Sequence, residues 1–327
     1  MLFASLCKHC YLSMDFKLDN IGNKLKNGLG KAITYFILLS CMAVLVIYAV
    51  QRFGGDYAEQ KIQEQLELSG LAPFVHYESV HLDPFTLTPS LENVSFGNEY
   101  SPWLRFARIS LNSYPINYPD LDVDFWIQES PIDSLSRDTR RLMRAAGIET
   151  LLGKGSFTSK VEGNKVSSSF KLDIKDIGKL AWASDISLLN KNIAMDNLRS
   201  DVLASFALGQ PEALPIIYGD AIEVHSLEVE YEESGLIAHL VPKSTITLDS
   251  RENQLNGIKY ASQALGLAPA NSEEAEHIAN TLLTFLQKPE KLNLTLSPTS
   301  AISLKEIALM VNEGKLYKDS KMELSNK

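Results

Sequence analysis

The residues that could do chemistry fall into four groups along the 327-residue chain, each defined by type and spacing. Near the start, Cys7, Lys8, His9 and Cys10 form a C-x-x-C motif, a spacing that serves metal binding or disulfide exchange. Either use needs a second Cys/His pair or a βαβ setting, and neither follows in the sequence, so the motif is discounted. The third cysteine, Cys41, lies in an apolar run, and no disulfide framework is available to the rest.

Histidines form the second group. Zinc needs three or four ligands converging on one point. His76 and His81 stand an odd number apart on an expected strand, which sends them to opposite faces unless a bulge intervenes. His225 and His239 are not level across an expected hairpin, and His277 is isolated. Ordinary surface histidines are the expectation. The third group is acidic: Glu228, Glu230 and Glu232 alternate with apolar residues and read as the solvated face of a strand, beside Glu233. A glycine pair, Gly153 and Gly155 around Lys154, makes the fourth. It lacks the third glycine of a phosphate cradle and runs into a strand instead of a helix. No hydrolase, zinc-protease or nucleotide-binding signature occurs, and no cofactor or metal is expected.

Charge narrows the partners. Lys and Arg total 31 against 40 Asp and Glu, a net charge of -9, which argues against a nucleic-acid binder with a basic face. The distribution is uneven. Residues 32–50 read AITYFILLSCMAVLVIYAV without a charge, and are preceded by five lysines against two aspartates. A helix of that length spans the hydrocarbon core of a bilayer. The lysines retain the amino terminus in the cytoplasm and send the acidic remainder across. The expectation is a single-pass, uncleaved anchor in a bacterial inner membrane, with most of the chain periplasmic. Met14 offers a second, more ordinary start.

Stepping along the chain, residues 57–68 form an amphipathic helix stopped at Gly70. Period-two alternation then begins, with strands expected over 91–96, 104–111 and 121–127. In the last of these, Leu121, Val123, Phe125 and Ile127 share one face, opposite Asp120, Asp122, Asp124 and Trp126. Residues 135–146 read as a helix exposing Arg137, Arg140, Arg141 and Arg144. Gly163 and Asn164 turn a hairpin between 156–161 and 166–174, and another strand follows over 180–188. Residues 209–219 read as a loop. Leu227, Val229 and Tyr231 then pair, in a second expected hairpin, with Leu236, Ala238 and Leu240. The last third is mostly helical, with Ser272 as an N-cap, a strand at 292–296 and a capping box at Ser303–Glu306.

The expected class is thus α+β: a transmembrane helix, then antiparallel sheets covered by amphipathic helices. The expected division is a cytoplasmic segment 1–31, a span 32–50, a strand-rich lobe 51–130 and an α+β lobe 131–327. A weak similarity between the segments around Gly70 and Gly147 suggests duplication of a helix-then-sheet unit.

Residues 80–88, reading VHLDPFTLT, with 91–97, Pro102-Trp103-Leu104 and Ile109-Ser110-Leu111, resemble the opening of AsmA-like inner-membrane envelope proteins. The resemblance, which covers residues 32–111, implies an anchor, a short helix and antiparallel strands, with lipid as the ligand of an apolar groove; it implies no catalytic residue. The chain is short for that group and ends in helices.

The function expected is binding, not catalysis: contact with a lipid or another apolar ligand through Leu121, Val123, Phe125 and Ile127, in envelope lipid homeostasis. The alternative is a scaffold subunit of a membrane-protein complex that uses Trp126 and the arginine helix as its contact surface. An envelope hydrolase with an unrecognised site is the third reading.

Overall fold

A computed structural model describes residues 29–68, 70–112, 119–190, 193–207, 210, 212–240 and 251–326. Cys7, Cys10, Met14 and the lysines at 8, 17, 24 and 26 lie outside these. The chain divides by packing at Gly54/Gly55 into two units, considered separately.

The described residues of the first unit form a helix, α1 (Leu29–Ala49), ending in a π-helical turn over Val50–Gly54. Here the expected anchor is corrected. Among the described residues no helix is long and apolar enough to cross a membrane. The α-helix ends at Ala49, where the backbone turns π-helical and Arg52 follows within that turn, so residues 32–50 do not continue as one uniform apolar α-helix. The bilayer contact expected through residues 32–50 and the charge-based orientation both rested on that span.

Among the described residues the second unit is built on one antiparallel sheet of 12 strands. After α2 (Gly55–Leu68) come β1 (Val75–His76), β2 (Ser79–Leu82), β3 (Pro89–Asn98), β4 (Ser101–Leu111) and β5 (Leu121–Pro131). A 3-10 turn and α3 (Arg137–Ala145) lead to β6 (Thr150–Glu162), β7 (Lys165–Ile174) and β8 (Gly178–Leu188). Helices α4 (Met195–Ala207) and α5 (Ala213–Tyr218) precede β9 (Ile222–Glu233). Then follow α6 (Leu236–Leu240), α7 (Arg251–Ala264), α8 (Glu273–Gln287), β10 (Lys291–Leu296), β11 (Ile302–Ser303), α9 (Leu304–Glu313), α10 (Leu316–Asp319) and β12 (Met322–Asn326).

The strands lie in the order β1-β3-β4-β5-β6-β7-β8-β9-β10-β12, with β2 beside β3 and β11 beside β9. From β3 to β10, neighbours in sequence are neighbours in space. The expected lobe boundary at residue 130 falls at the end of β5, which pairs directly with β6, so the sheet runs through it.

Two registers show how sequence alternation becomes a two-faced sheet. Opposed residues share a face. On β3, Asn93 takes φ 51°, a left-handed break in the alternation, and Leu91 and Val94 join one buried cluster despite their odd spacing. The hairpin expected at Gly163 and Asn164 forms, with Glu162 opposite Lys165. The second expected hairpin does not. Residues 236–240 are helical, because the Glu233 carboxylate accepts the Gly235 and Ile237 amides at 2.6 and 3.0 Å and opens a helical turn. Both edges of β9 are already occupied by β8 and β10. Residues 213–218, expected as loop, form α5. Ser272 caps α8, and Ser303 with Glu306 makes the reciprocal capping box of α9, both as expected.

The helices sit against the inner face in patches. Ile62 of α2 packs on Leu91 and Val94. Leu135, Met143 of α3 and Ile148 pack on Ile127 and Leu151. Met195 and Leu198 of α4, with Tyr218 of α5, pack on Val166, Leu188 and Ile222. Ile278 of α8 covers Leu324, and Leu316 of α10 covers Val224 and Leu296.

Candidate functional site

The patches leave one part of the inner face out. Following opposed residues across the sheet gives a single row: Leu111 and Val123, then Phe157, Phe170, Trp182, Val229 and Leu294. Five members of that row, Val123 to Val229, belong to none of the five buried clusters among the described residues. All five are only half-buried. At about 4.8 Å between strands, β5 to β9 spans about 19 Å.

The rings in this row touch. Phe157 stacks on Trp182 at 6.2 Å between centroids, and Phe170 meets Trp182 edge-on at 6.2 Å. Phe125 continues the series, stacked on Phe170 at 6.1 Å and edge-on to Phe106 at 5.7 Å. Each such ring carries about 150–250 Å² of surface, and offset or edge-on pairs add about 0.5–1.5 kcal/mol beyond burial. Five rings therefore form a ladder, of which Phe157, Phe170 and Trp182 floor the uncovered part, a shallow trough, while Phe125 and Phe106 pack into the α3 cluster at its margin.

Its borders are the covered patches. Along β7 the floor runs from Ile174 and Leu172, against the α3 cluster, through Phe170 and Ser168 to Val166, beneath α4. On the β3–β4 side stands α2, and on the β10–β12 side stands α8.

Gly155 explains part of the floor. A β-carbon there would run into the Phe125 ring and the Lys171 carbonyl. At Gly153 it would lie 2.6 Å from the Asp173 carbonyl and 3.3 Å from Ile127. The glycine pair that resembled an incomplete phosphate cradle instead lets side chains of β5 lie flat over β6.

Next to the aromatic row, one inward step along each strand, lie Ser159, Ser168 and Ser184, opposed in turn. The floor therefore has an aromatic half and a hydroxyl half.

The expected apolar contacts, Leu121, Val123, Phe125 and Ile127, do share the inner face, since Val123 opposes Phe157 and Ile127 opposes Gly153. They divide by burial. Ile127 is 4% exposed in the α3 cluster, Phe125 packs at its edge, and Leu121 and Val123 stand in the open part. The expected partner surface is not assembled as one patch. Trp126 lies on the outer face, 41% exposed, opposite Arg108, whose guanidinium sits 6.0 Å over its ring. That contact accounts for an aromatic side chain on a polar face. Arg137, Arg141 and Arg144 are exposed and Arg140 half-buried on α3, which packs on the inner face through Met143. Arg144 reaches Asp133 at 4.0 Å.

The acidic and histidine groups are settled by geometry. Glu228, Glu230 and Glu232 line the outer face, where Lys291 pairs with Glu230 at 2.6 Å and Lys179 with Glu232 at 2.7 Å. The latter contact, chiefly its hydrogen bond, lowers the Glu232 pKa and raises that of Lys179. His76 and His81 are corrected to one face, the outer, because β1 and β2 are separate strands and the break between them absorbs the phase. They oppose Ser95 and Ser90, five positions apart on β3. His239 stands on α6 against Gly147, and His277 contacts the Leu324 carbonyl at 3.3 Å. Among the described residues no three His, Cys, Asp or Glu side chains are grouped to hold a metal ion.

One arrangement has no precursor in the sequence reading. Ser187 Oγ and His225 Nε2 lie 2.6 Å apart on the outer face. Asp185, close by, does not complete a triad. Its carboxylate accepts hydrogen bonds from Ser167 at 2.6 Å and Ser226 at 3.0 Å, which hold its pKa below the usual carboxylate range. Ser187 itself is 5% exposed within a strand, so a substrate carbonyl has no approach to its oxygen.

Fold and site together define a single-sheet α+β protein with an open aromatic trough on the inner face. In comparison with known proteins, a family model described only as "Uncharacterized protein" matches residues 171–326, which takes in Trp182, Val229 and the covering helices α4 to α10 but not β4 to β6. No curated protein matches the chain.

Proposed function

We propose that this protein binds the hydrocarbon chain of a lipid or similar amphiphile along the Phe157–Phe170–Trp182 row, and that it acts by binding and not by catalysis. The observation that carries the reading is the discontinuity of the inner face. Among the described residues the flanking stretches of that face pack against helices, whereas contiguous aromatic rings stand only half-buried in its middle. Apolar floor left open between capped margins is the usual form of an apolar binding site.

Dimensions agree. The row is about 19 Å long, and one leaflet of a bilayer, half of about 30 Å, gives the reach of an extended acyl chain. Burying about 500 Å² of floor and chain together is worth about 12 kcal/mol gross. Subtracting roughly 5 kcal/mol for lost freedom leaves an affinity in the micromolar range.

A spin-labelled stearate tests this through tryptophan fluorescence. Of the three tryptophans, Trp182 alone lies in the row; Trp103 stacks with Phe74 and Trp126 faces outward. Saturable quenching is expected in the native chain and should largely vanish in Trp182→Phe, which keeps a ring in place. Quenching undiminished in that variant, or none at all in the native chain, would sink the proposal.

A further inference from the structure

The serine row beside the aromatic row is overlain by a cation. Arg199, on α4, donates from Nη2 to Ser159 Oγ at 3.1 Å and to the Pro119 carbonyl at 2.7 Å. Ser168 Oγ lies 3.4 Å from Ser159 Oγ, and Ser184 opposes Ser168 on β8. Ser159 is 2% exposed, so the guanidinium is drawn down to the sheet instead of extending into solvent. Asp120, next to Pro119 in the chain, directs its carboxylate to the Val161 amide at 2.8 Å. The trough thus has an aromatic half made for hydrocarbon and a half that offers hydroxyls and a guanidinium.

We infer that the ligand is an anionic single-chain amphiphile, whose carboxylate or phosphate meets Arg199 and the Ser168 and Ser184 hydroxyls while its chain lies on Phe170 and Trp182. This deepens the reading of the trough as an acyl-chain site and rests on it. The head group need not find an idle donor, because exchanging the neutral Ser159 oxygen for an anionic one adds the attraction of opposite charges to a hydrogen bond the guanidinium already makes. A neutral head gains nothing comparable there. Arg199 is therefore a specificity residue, and the aromatic row supplies affinity common to all chains.

The two parts separate experimentally in the full chain. Calorimetric titration with laurate and with dodecanol, both below micelle formation, compares the same chain with and without charge. Laurate should bind about tenfold more tightly than dodecanol. Arg199→Gln should bring the two to within about threefold, and Arg199→Lys should keep part of the preference. Using the ratio of the two ligands cancels any loss of folded protein in a variant. Equal binding of both ligands in the native chain, weakened equally by Trp182→Ala, overturns the anionic assignment and leaves the acyl-chain site standing. A laurate preference that survives Arg199→Gln also overturns it. Binding of neither ligand overturns both.

Discussion

Two stretches of the same inner face, one around Leu135 and Met143 and one around Phe170 and Trp182, are built from the same kind of strand yet play opposite parts. In the first, α3 and its preceding turn close over Ile127 and Leu151, leaving Leu135 at 1% and Met143 at 3% exposure. In the second, larger aromatic side chains stay only half-buried, touching one another and none of the helix-covered clusters among the described residues. A protein selected only for stability would place its aromatic rings under its helices, since burial contributes in proportion to area removed from water. Keeping them in the uncovered row is a departure expected of a functional surface.

The largest effect that separates the stretches is in stability. Leu135→Ala opens a cavity beneath α3 and should lower unfolding free energy by about 2–5 kcal/mol, read as a drop in the urea midpoint. The affinity of the folded fraction for laurate should be unchanged. Trp182→Ala should do the reverse, with a stability loss of under about 2 kcal/mol, because its ring is already partly hydrated, and a tenfold or greater loss of laurate affinity. If Trp182→Ala costs as much stability as Leu135→Ala and leaves binding intact, the row is ordinary core and the contrast collapses.

An intermediate case joins the two stretches. Gly155→Val places a branched side chain where the Phe125 ring lies. Phe125 belongs both to the edge of the α3 cluster and to the aromatic ladder. Overpacking there should destabilise by about 1–3 kcal/mol and also weaken laurate binding severalfold, by displacing the ring. Phe125→Ala in the same background should restore part of the stability but not the binding. A Gly155→Val protein with native stability would mean that both the Phe125 ring and the Lys171 carbonyl can give way without cost.

How much of this contrast was legible in the chain itself depends on the range of the interaction. Local devices were plain: the Ser303–Glu306 capping box, the Ser272 cap, the Gly163-Asn164 turn and the alternation of Leu121 to Ile127 are each decided within a few residues. The α6 segment was misread because Leu236, Ala238 and Leu240 alternate like a strand over too few residues to outweigh the Glu233 cap. The aromatic row was invisible, since Phe157, Phe170 and Trp182 come from three strands and only register aligns them. Helix α4 was missed altogether, and with it Arg199, whose approach to Ser159 joins residues 40 positions apart. The residues singled out on β5 were on the right face, but alternation carries no information about which part of a face a distant helix will cover.

The covered side also has its own ionisation signature, smaller than the effects above and confined to alkaline pH. Tyr218, the last residue of α5 and 8% exposed, donates its hydroxyl to Asp201 at 2.5 Å. Burial first, and then the Asp201 carboxylate, push the phenol up from 10.0 to about 12. Because the folded value lies above the unfolded one, the neutral phenol's contribution is complete below pH 10 and is lost as pH rises through about 12. Tyr218→Phe should therefore be less stable at pH 8 by about 1 kcal/mol, as Asp201 loses its donor, and should lose less further stability than the native chain between pH 10 and 12. Tyr231, also raised by burial, titrates in both proteins and cancels in the difference. Urea midpoints measured at pH 8 and pH 11 give the result directly. Parallel losses in the two proteins would mean that the packing around Tyr218 does not shield it from water, and that the cover over this end of the face is looser than the cover over Leu135.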